Sequence, residues 1–400
     1  MQSIKLNKSS GLFFIIISFG ILFSLVTIIP VSANEKKVHH PHIIFPVPSQ
    51  PPKIQLAILL DTSGSMDGLI DQTRNQLWQV VNEFTSAKKN GITPSLEVAL
   101  FEYGNDGNSR DTGFVRMLNN FTRELDKVSE GLFSLTTNGG SEYCGFAIKT
   151  AVHSLNWSRS NHDIKTIFIA GNEPFTQGPV YYQDAIRLAQ SRGIVVNTIH
   201  AGDHRVGIDT GWEKGALMAG GDYMSIDANQ ESIHILAPQD KRIAELNKKL
   251  NKTYIPYGQQ GRKKARRQIE QDMQSESISS ALLAKRVESK SSSYYNNAKW
   301  DLVDALEEGE IEEQQLAQLD EEVLPEVMKK MDLEQRKEYV SKKSAERNKI
   351  KEEINKLSKQ RSKHILKEKE KMAQKAPSMS DALSKAITKQ AKEKNYQLEN

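Results

Sequence analysis

Six apolar residues, Ile54 and Leu56 to Leu60, run directly into Asp61-Thr62-Ser63-Gly64-Ser65. The run is too short to cross a membrane and reads as a strand buried on both faces of a parallel sheet. The acid and the hydroxyls then fall on the turn leaving that strand, at the carboxyl edge, where open α/β sheets bind ligands. Asp61, Ser63 and Ser65 alternate with Thr62 and Gly64, so three oxygens can converge on one point while Gly64 lets the backbone bend. Hard oxygen donors without His or Cys suit Mg²⁺, with Mn²⁺ or Ca²⁺ as alternatives; Mg²⁺ takes such donors at about 2.0–2.1 Å in an octahedron.

Strand and helix patterns continue to alternate down the chain. Ile70, Leu77, Val80, Val81 and Phe84 share one helical face, and Ser95 to Tyr103 reads as the next strand. Gly113 to Phe121 predicts another strand, Glu124 to Leu135 a helix, and Ile148, Val152 and Leu155 mark a further helix. Ile164 to Ala170 is a buried strand; Tyr181 to Gly193 a helix; Ile194 to His200 a strand; Thr210 to Ala219 a helix; Asp222 to Ile226 a short last strand. Such alternation predicts an α/β fold, a mainly parallel central sheet flanked by helices.

The D-x-S-x-S at Asp61, Ser63 and Ser65, set between a buried strand and an amphipathic helix, resembles the metal-ion-dependent adhesion site (MIDAS) of von Willebrand factor A-type (vWA) domains. The resemblance covers residues 54–237 and implies a Rossmann-like domain that binds a protein partner, whose acidic side chain completes the metal shell. In that family two further loops serve the metal, one with a Thr and one with an Asp. Thr137 to Glu142 stands at the first of these. Ser141 is the first choice to replace the Thr, ahead of Thr136 and Thr137, and Glu142 either adds a carboxylate or is a solvated turn residue. The second departs from the pattern: aligned on Glu173-Pro174, Ala170 and Gly171 occupy the Thr and Asp positions. The usual carboxylate is missing, and Asn172 and Glu173 reach the site only by a rotated loop.

Export is the other expectation. Lys5 and Lys8, an uncharged run from Leu12 to Ile29, and Val31-Ser32-Ala33 read as a signal peptide over residues 1–33. The protein is then periplasmic or extracellular, or membrane-associated if the apolar run is kept as an anchor. Residues 34–53, with His39, His40 and His42 among prolines, form a Pro/His-rich linker. Cys144 is the single cysteine, so no internal disulfide forms despite the oxidising destination. It reads as a small buried residue opening a helix; a nucleophilic pair with His200 or His204 is the enzymatic alternative. Asp203-His204 reads as a plain loop pair. A net charge of +4 implies no global electrostatic partner, and export makes nucleic acid a poor one.

Beyond the domain at 54–240 the composition shifts. All thirteen Phe lie at or before Phe175, while charged residues crowd the chain after Gly258, so this part cannot build a large core by itself. Residues 241–297 read as a basic or polar, partly helical linker, with Gly261 to Arg267 its most basic stretch. Residues 298–400 read as a charged helical or coiled-coil-like region: solvated helices packed weakly on the domain, or an oligomerising module. The leading functional expectation is an exported, metal-dependent interaction or adhesion module at the cell envelope. The alternatives are an envelope enzyme or accessory using the metal or Cys144, and a scaffold working through its helical tail.

Overall fold

A computed structural model describes residues 51–66, 70, 73, 78, 81–84, 87–226, 235–371 and 379–398, with backbone only at 379–382. The expected leader and most of the linker after it lie outside the described residues, as do the side chains of Leu77 and Val80. No helix among the described residues is long and apolar enough to cross a membrane.

The core is a six-stranded sheet in the order β4-β3-β1-β5-β6-β7. Its strands are β1 (Lys53–Asp61), β3 (Ser95–Tyr103), β4 (Arg116–Thr122), β5 (Ile164–Gly171), β6 (Val195–Ala201) and β7 (Tyr223–Ile226). β1 pairs parallel with both β3 and β5, so the apolar run opens the middle of the sheet. β4 is the antiparallel edge and pairs with β3 through two register shifts. Two-residue strands β2 (Ala87–Lys88) and β8 (Gln397–Leu398) pair antiparallel elsewhere.

Because side chains alternate along a strand, β1 feeds two cores. Ala57 and Leu59 face a layer built with α2 (Cys144–Ser154), α3 (Tyr182–Ser191) and α5 (Trp212–Met218), following α1 (Leu125–Phe133) in the chain. Ile54, Leu56, Ile58 and Leu60 face the opposite layer, with Ile70, Trp78, Val81, Phe84 and α1. The helix expected over Thr210 to Ala219 is α5. A separate α4 (His204–Asp209) precedes α5, because Asp203 Oδ1 accepts the N–H groups of Arg205 and Val206 at 2.8 and 3.1 Å. Asp203 is thus a helix cap rather than a plain loop residue.

The remaining helices are α6 (Asp240–Asn251), α7 (Gly261–Ile278), α8 (Ser280–Ser291), α9 (Leu302–Glu307), α10 (Glu326–Lys329), α11 (Leu333–Lys371) and α12 (Met379–Glu393). Leu282, Leu283, Val287, Ile350, Ile354 and Ile387 belong to the same apolar cluster as Ile54 and Leu56. Residues 241–297 and 298–400, read from sequence as linker and tail, therefore lie within one compact unit running from Gln50 to Asn400. A charged segment that lacks Phe completes its core by borrowing a face of the sheet, to which it adds Tyr254, Tyr294, Tyr295 and Trp300.

Ion pairs reinforce the join. Asp272 accepts from Arg286 Nε at 2.7 Å and Lys290 Nζ at 2.8 Å, and Arg286 also reaches Asp126 of α1 at 2.7 Å. Arg286 and Lys290 are fully buried. Burial alone would raise Asp272, but Lys290 and Arg286 outweigh it and hold the carboxyl well below its usual range. The basic stretch Gly261–Arg267 is engaged too, through Lys264 to Glu124 at 2.7 Å and Arg267 to Glu130 at 2.8 Å.

Candidate metal centre

β1 ends on Asp61, which is fully buried. Its Oδ1 accepts the Ser63 N–H at 2.8 Å, which folds the turn back on the strand end. The turn is pinned on both sides: Thr62 N–H donates to the Tyr103 carbonyl and Gly64 N–H to the Gly139 carbonyl, each at 2.9 Å. Ser63 is buried and Ser65 exposed, with their hydroxyls 3.3 Å apart. The strand–turn motif thus presents an acid at the bottom and hydroxyls rising toward solvent.

From the second loop it is Glu142 that enters this cluster. Glu142 is buried, and its carboxyl lies in hydrogen-bonding reach of the Asp61 carboxyl and of Ser63. Its N–H donates to Gln177 Oε1 at 2.5 Å, and its Oε2 accepts the Glu173 N–H at 3.3 Å. Burial, then the bond to Asp61 and that acid's charge, push Glu142 far above the usual carboxyl range; burial raises Asp61 as well. Two carboxyls sharing a dry site cannot both ionise unless a cation joins them. Ser141, the first choice from sequence, instead lines a hollow with Tyr143 and Gln177.

At the third loop, Asn172 Nδ2 donates to Ser65 Oγ at 3.0 Å, while Asn172 Oδ1 is buried without a hydrogen-bond partner. Glu173 contributes main-chain groups: besides the N–H given to Glu142, its carbonyl accepts from Trp212 Nε1 at 2.9 Å. The absent carboxylate has a steric cause. A Cβ on Gly171 would collide with the Tyr103 hydroxyl and lie 3.0 Å from Asp61 Oδ2. That hydroxyl is fixed, donating to the Ala170 carbonyl at 2.9 Å. Gly104, at φ 79°, is bound by the same crowding, since a Cβ there would come within 2.7 Å of Asp61 Oδ1. The packing of Tyr103, Gly104 and Gly171 around Asp61 is not readable from the sequence, because these contacts are long-range.

The donor set fits a hard divalent cation. Asp61 Oδ2 and Asn172 Oδ1 are buried and receive no N–H or O–H bond from the described residues. With Ser63, Ser65 and the Glu142 carboxyl, they make an all-oxygen group carrying two acids and no basic side chain. The described residues hold no metal-competent group of three or more His, Cys, Asp or Glu, so the softer transition-metal pattern is absent among them.

The thiol is not placed for chemistry. Cys144 is buried, its Sγ is 3.6 Å from the Tyr103 hydroxyl, and burial pushes its pKa up. His200 instead meets the Asn172 carbonyl at 3.2 Å, and His204 the Ser225 hydroxyl at 3.1 Å.

An open α/β sheet with an acid-and-hydroxyl cluster at its carboxyl edge defines the class of domain. Residues 55–207 match the family model of the von Willebrand factor type A domain, so the chain carries a vWA domain. No curated protein matches the chain. Similar solved structures include an aerotolerance-related membrane protein from Bacteroides fragilis, at 15% identity and TM-score 0.31, covering 44% of this chain and 93% of that one. Another is the SpRpn10 VWA domain, at 16% identity and TM-score 0.32, covering 44% and 88%. A third is proximal thread matrix protein 1 of the mussel byssus, described with zinc in its MIDAS motif, at 12% identity and TM-score 0.33, covering 45% and 43%.

Proposed function

We propose that this protein is an exported interaction module at the cell envelope. Its vWA domain holds a divalent cation, Mg²⁺ first, and offers it to an acidic side chain of a protein partner. The observation that carries the reading is the buried Asp61–Glu142 pair, which faces no basic side chain while Asn172 Oδ1 waits unbonded beside it. Asp61, Glu142, Ser63, Ser65 and Asn172 would hold the ion, which supplies Lewis acidity toward the partner's carboxylate. Glu142 would supply the second carboxylate that Gly171 lacks, and the partner's carboxylate would complete the shell. Export rests on residues 1–33 alone.

The test is thermal melting of the full chain with Mg²⁺ or Mn²⁺ against EDTA, beside Asp61→Ala. A ligand of the folded state at about 100 times its Kd adds about 2.7 kcal/mol, so the native protein's Tm should rise and the variant's should not. No cation-dependent shift in the native protein would end the metal reading.

A further inference from the structure

We propose that the hollow beside the cation cluster is a second recognition subsite, in which Arg110 takes one carboxylate of an acidic polypeptide partner. This deepens the proposed interaction function and rests on the carboxyl edge being the docking face. The hollow has a volume of about 460 Å³ and is lined by Arg110, Ser141, Tyr143, Gln177, Gly178 and Pro179. It shares a wall with the cation cluster. Ser141 and Tyr143 line the hollow, while Glu142 between them is buried against Asp61.

The walls are fixed before any ligand arrives. The Tyr143 ring meets Phe114 edge-on, with centroids 5.6 Å apart. Gly178, at φ 97°, also packs against it: a Cβ there would fall 2.6 Å from the Tyr143 ring. Gln177 is held by the Glu142 N–H at 2.5 Å. A preorganised site loses little conformational freedom on binding.

The charge is free to act. Arg116 and Arg187 are paired with Glu102 and Asp184 at 2.6 and 2.5 Å. Arg110 is exposed, and no acid among the described residues pairs with its guanidinium. One guanidinium matches one carboxylate in a forked pair. The Tyr143 ring and Pro179 offer apolar contact to the methylenes of a Glu or Asp side chain, and Ser141 and Gln177 offer polar groups. A phosphate dianion would carry one charge too many for a single cation, close to the acids across the shared wall.

The probe is a fluorescein-labelled peptide of five Gly-Glu repeats, read by anisotropy against the full chain at low salt, with EDTA or Mg²⁺. Arg110→Glu should weaken binding about tenfold or more in both conditions, since reversing a contact charge turns attraction into repulsion. Arg159→Glu, an equal change on the loop before β5 at the opposite edge, should alter it less than about twofold. Arg110 is on the surface, so the variant should melt as the native protein does. No binding of the probe, no effect of Arg110→Glu, or equal effects of the two reversals overturns the subsite. Tighter binding of the matching phosphoserine peptide overturns its assignment to a carboxylate. If Mg²⁺ changes nothing but Arg110→Glu still weakens binding, the cation reading fails and the subsite stands.

Discussion

Asp272 and Asp61 are both buried acids at junctions between elements, yet they are treated in opposite ways. Asp272 has Arg286 at 2.7 Å and Lys290 at 2.8 Å, and its pKa falls. Asp61 has a second acid, Glu142, and both pKa values rise. Where the chain supplies its own cations, the charge is used to hold helices to the sheet. Where it withholds them, the acids keep a capacity that only a proton or an outside cation can meet. The same chemistry thus separates a structural joint from a binding site.

The sharpest way to break this comparison is Asp272→Ala. It leaves Arg286 and Lys290 buried beside a lost partner, and a buried charge stripped of its counterion costs about 3–5 kcal/mol. Urea unfolding should show that loss; a cost under about 1 kcal/mol would mean that water reaches the joint. Next, Gly171→Asp adds the carboxylate that the family usually has, but its Cβ must displace the Tyr103 hydroxyl. Overpacking of this kind costs about 1–3 kcal/mol, and Tyr103→Phe in the same chain should recover part of it. Equal stability of the single and double variants would show that the hydroxyl is not the obstacle.

Glu142→Gln sharpens the contrast from the other side. Glu142 stays protonated in the cation-free fold at pH 8, while the unfolded chain ionises it. Removing this titrating group should therefore stabilise the cation-free protein by about 1 kcal/mol and abolish any rise of Tm with Mg²⁺. A variant that still responds to Mg²⁺ as the native chain does would take Glu142 out of the ion's shell. Arg187→Ala, which breaks an exposed pair, should change stability by less than about 0.5 kcal/mol.

The two joints also respond to pH with opposite signs. Asp61 and Glu142 have raised pKa values in the fold, so the unfolded chain releases these protons first as pH rises. Their contribution is full below the ordinary carboxyl range and is lost at higher pH, unless a cation replaces the proton. Asp272 has a depressed pKa, so its contribution is full above that range and is lost as pH falls through the folded value. Melting in EDTA between pH 5 and pH 8 should therefore show native and Glu142→Gln proteins drawing apart as pH rises. Parallel curves would contradict the shared-proton account.

Local signals were the legible ones. The run into Asp61, Ser63 and Ser65 declared a strand, a turn and an oxygen cluster within a dozen or so residues. The mainly parallel sheet and its two helical layers followed from alternating patterns. The features that stayed hidden depended on distance along the chain. Nothing local shows that Tyr103 closes the space at Gly171, across 67 positions to its bond with Ala170. Ser141 lines the hollow while the adjacent Glu142 meets Asp61, and only the packed loop decides which of the two does so. The helices after residue 240 misled through composition, because Arg286, Lys290 and Arg347 are among the most buried side chains in the molecule. A charge run reads as solvated until its partners are known.

The pairing of β8 with β2, and the Tyr396 hydroxyl bonded to the Lys53 carbonyl at 3.2 Å, join the far end of the chain to the first strand of the sheet. A ribosome delivers these pieces in order, with more than three hundred residues between them. One face of the sheet is therefore made long before its cover, and must wait uncovered while the rest is synthesised. A premature stop codon late in the reading frame would strip Ile387, Ala391 and Tyr396 from that cover and expose part of the face to other chains.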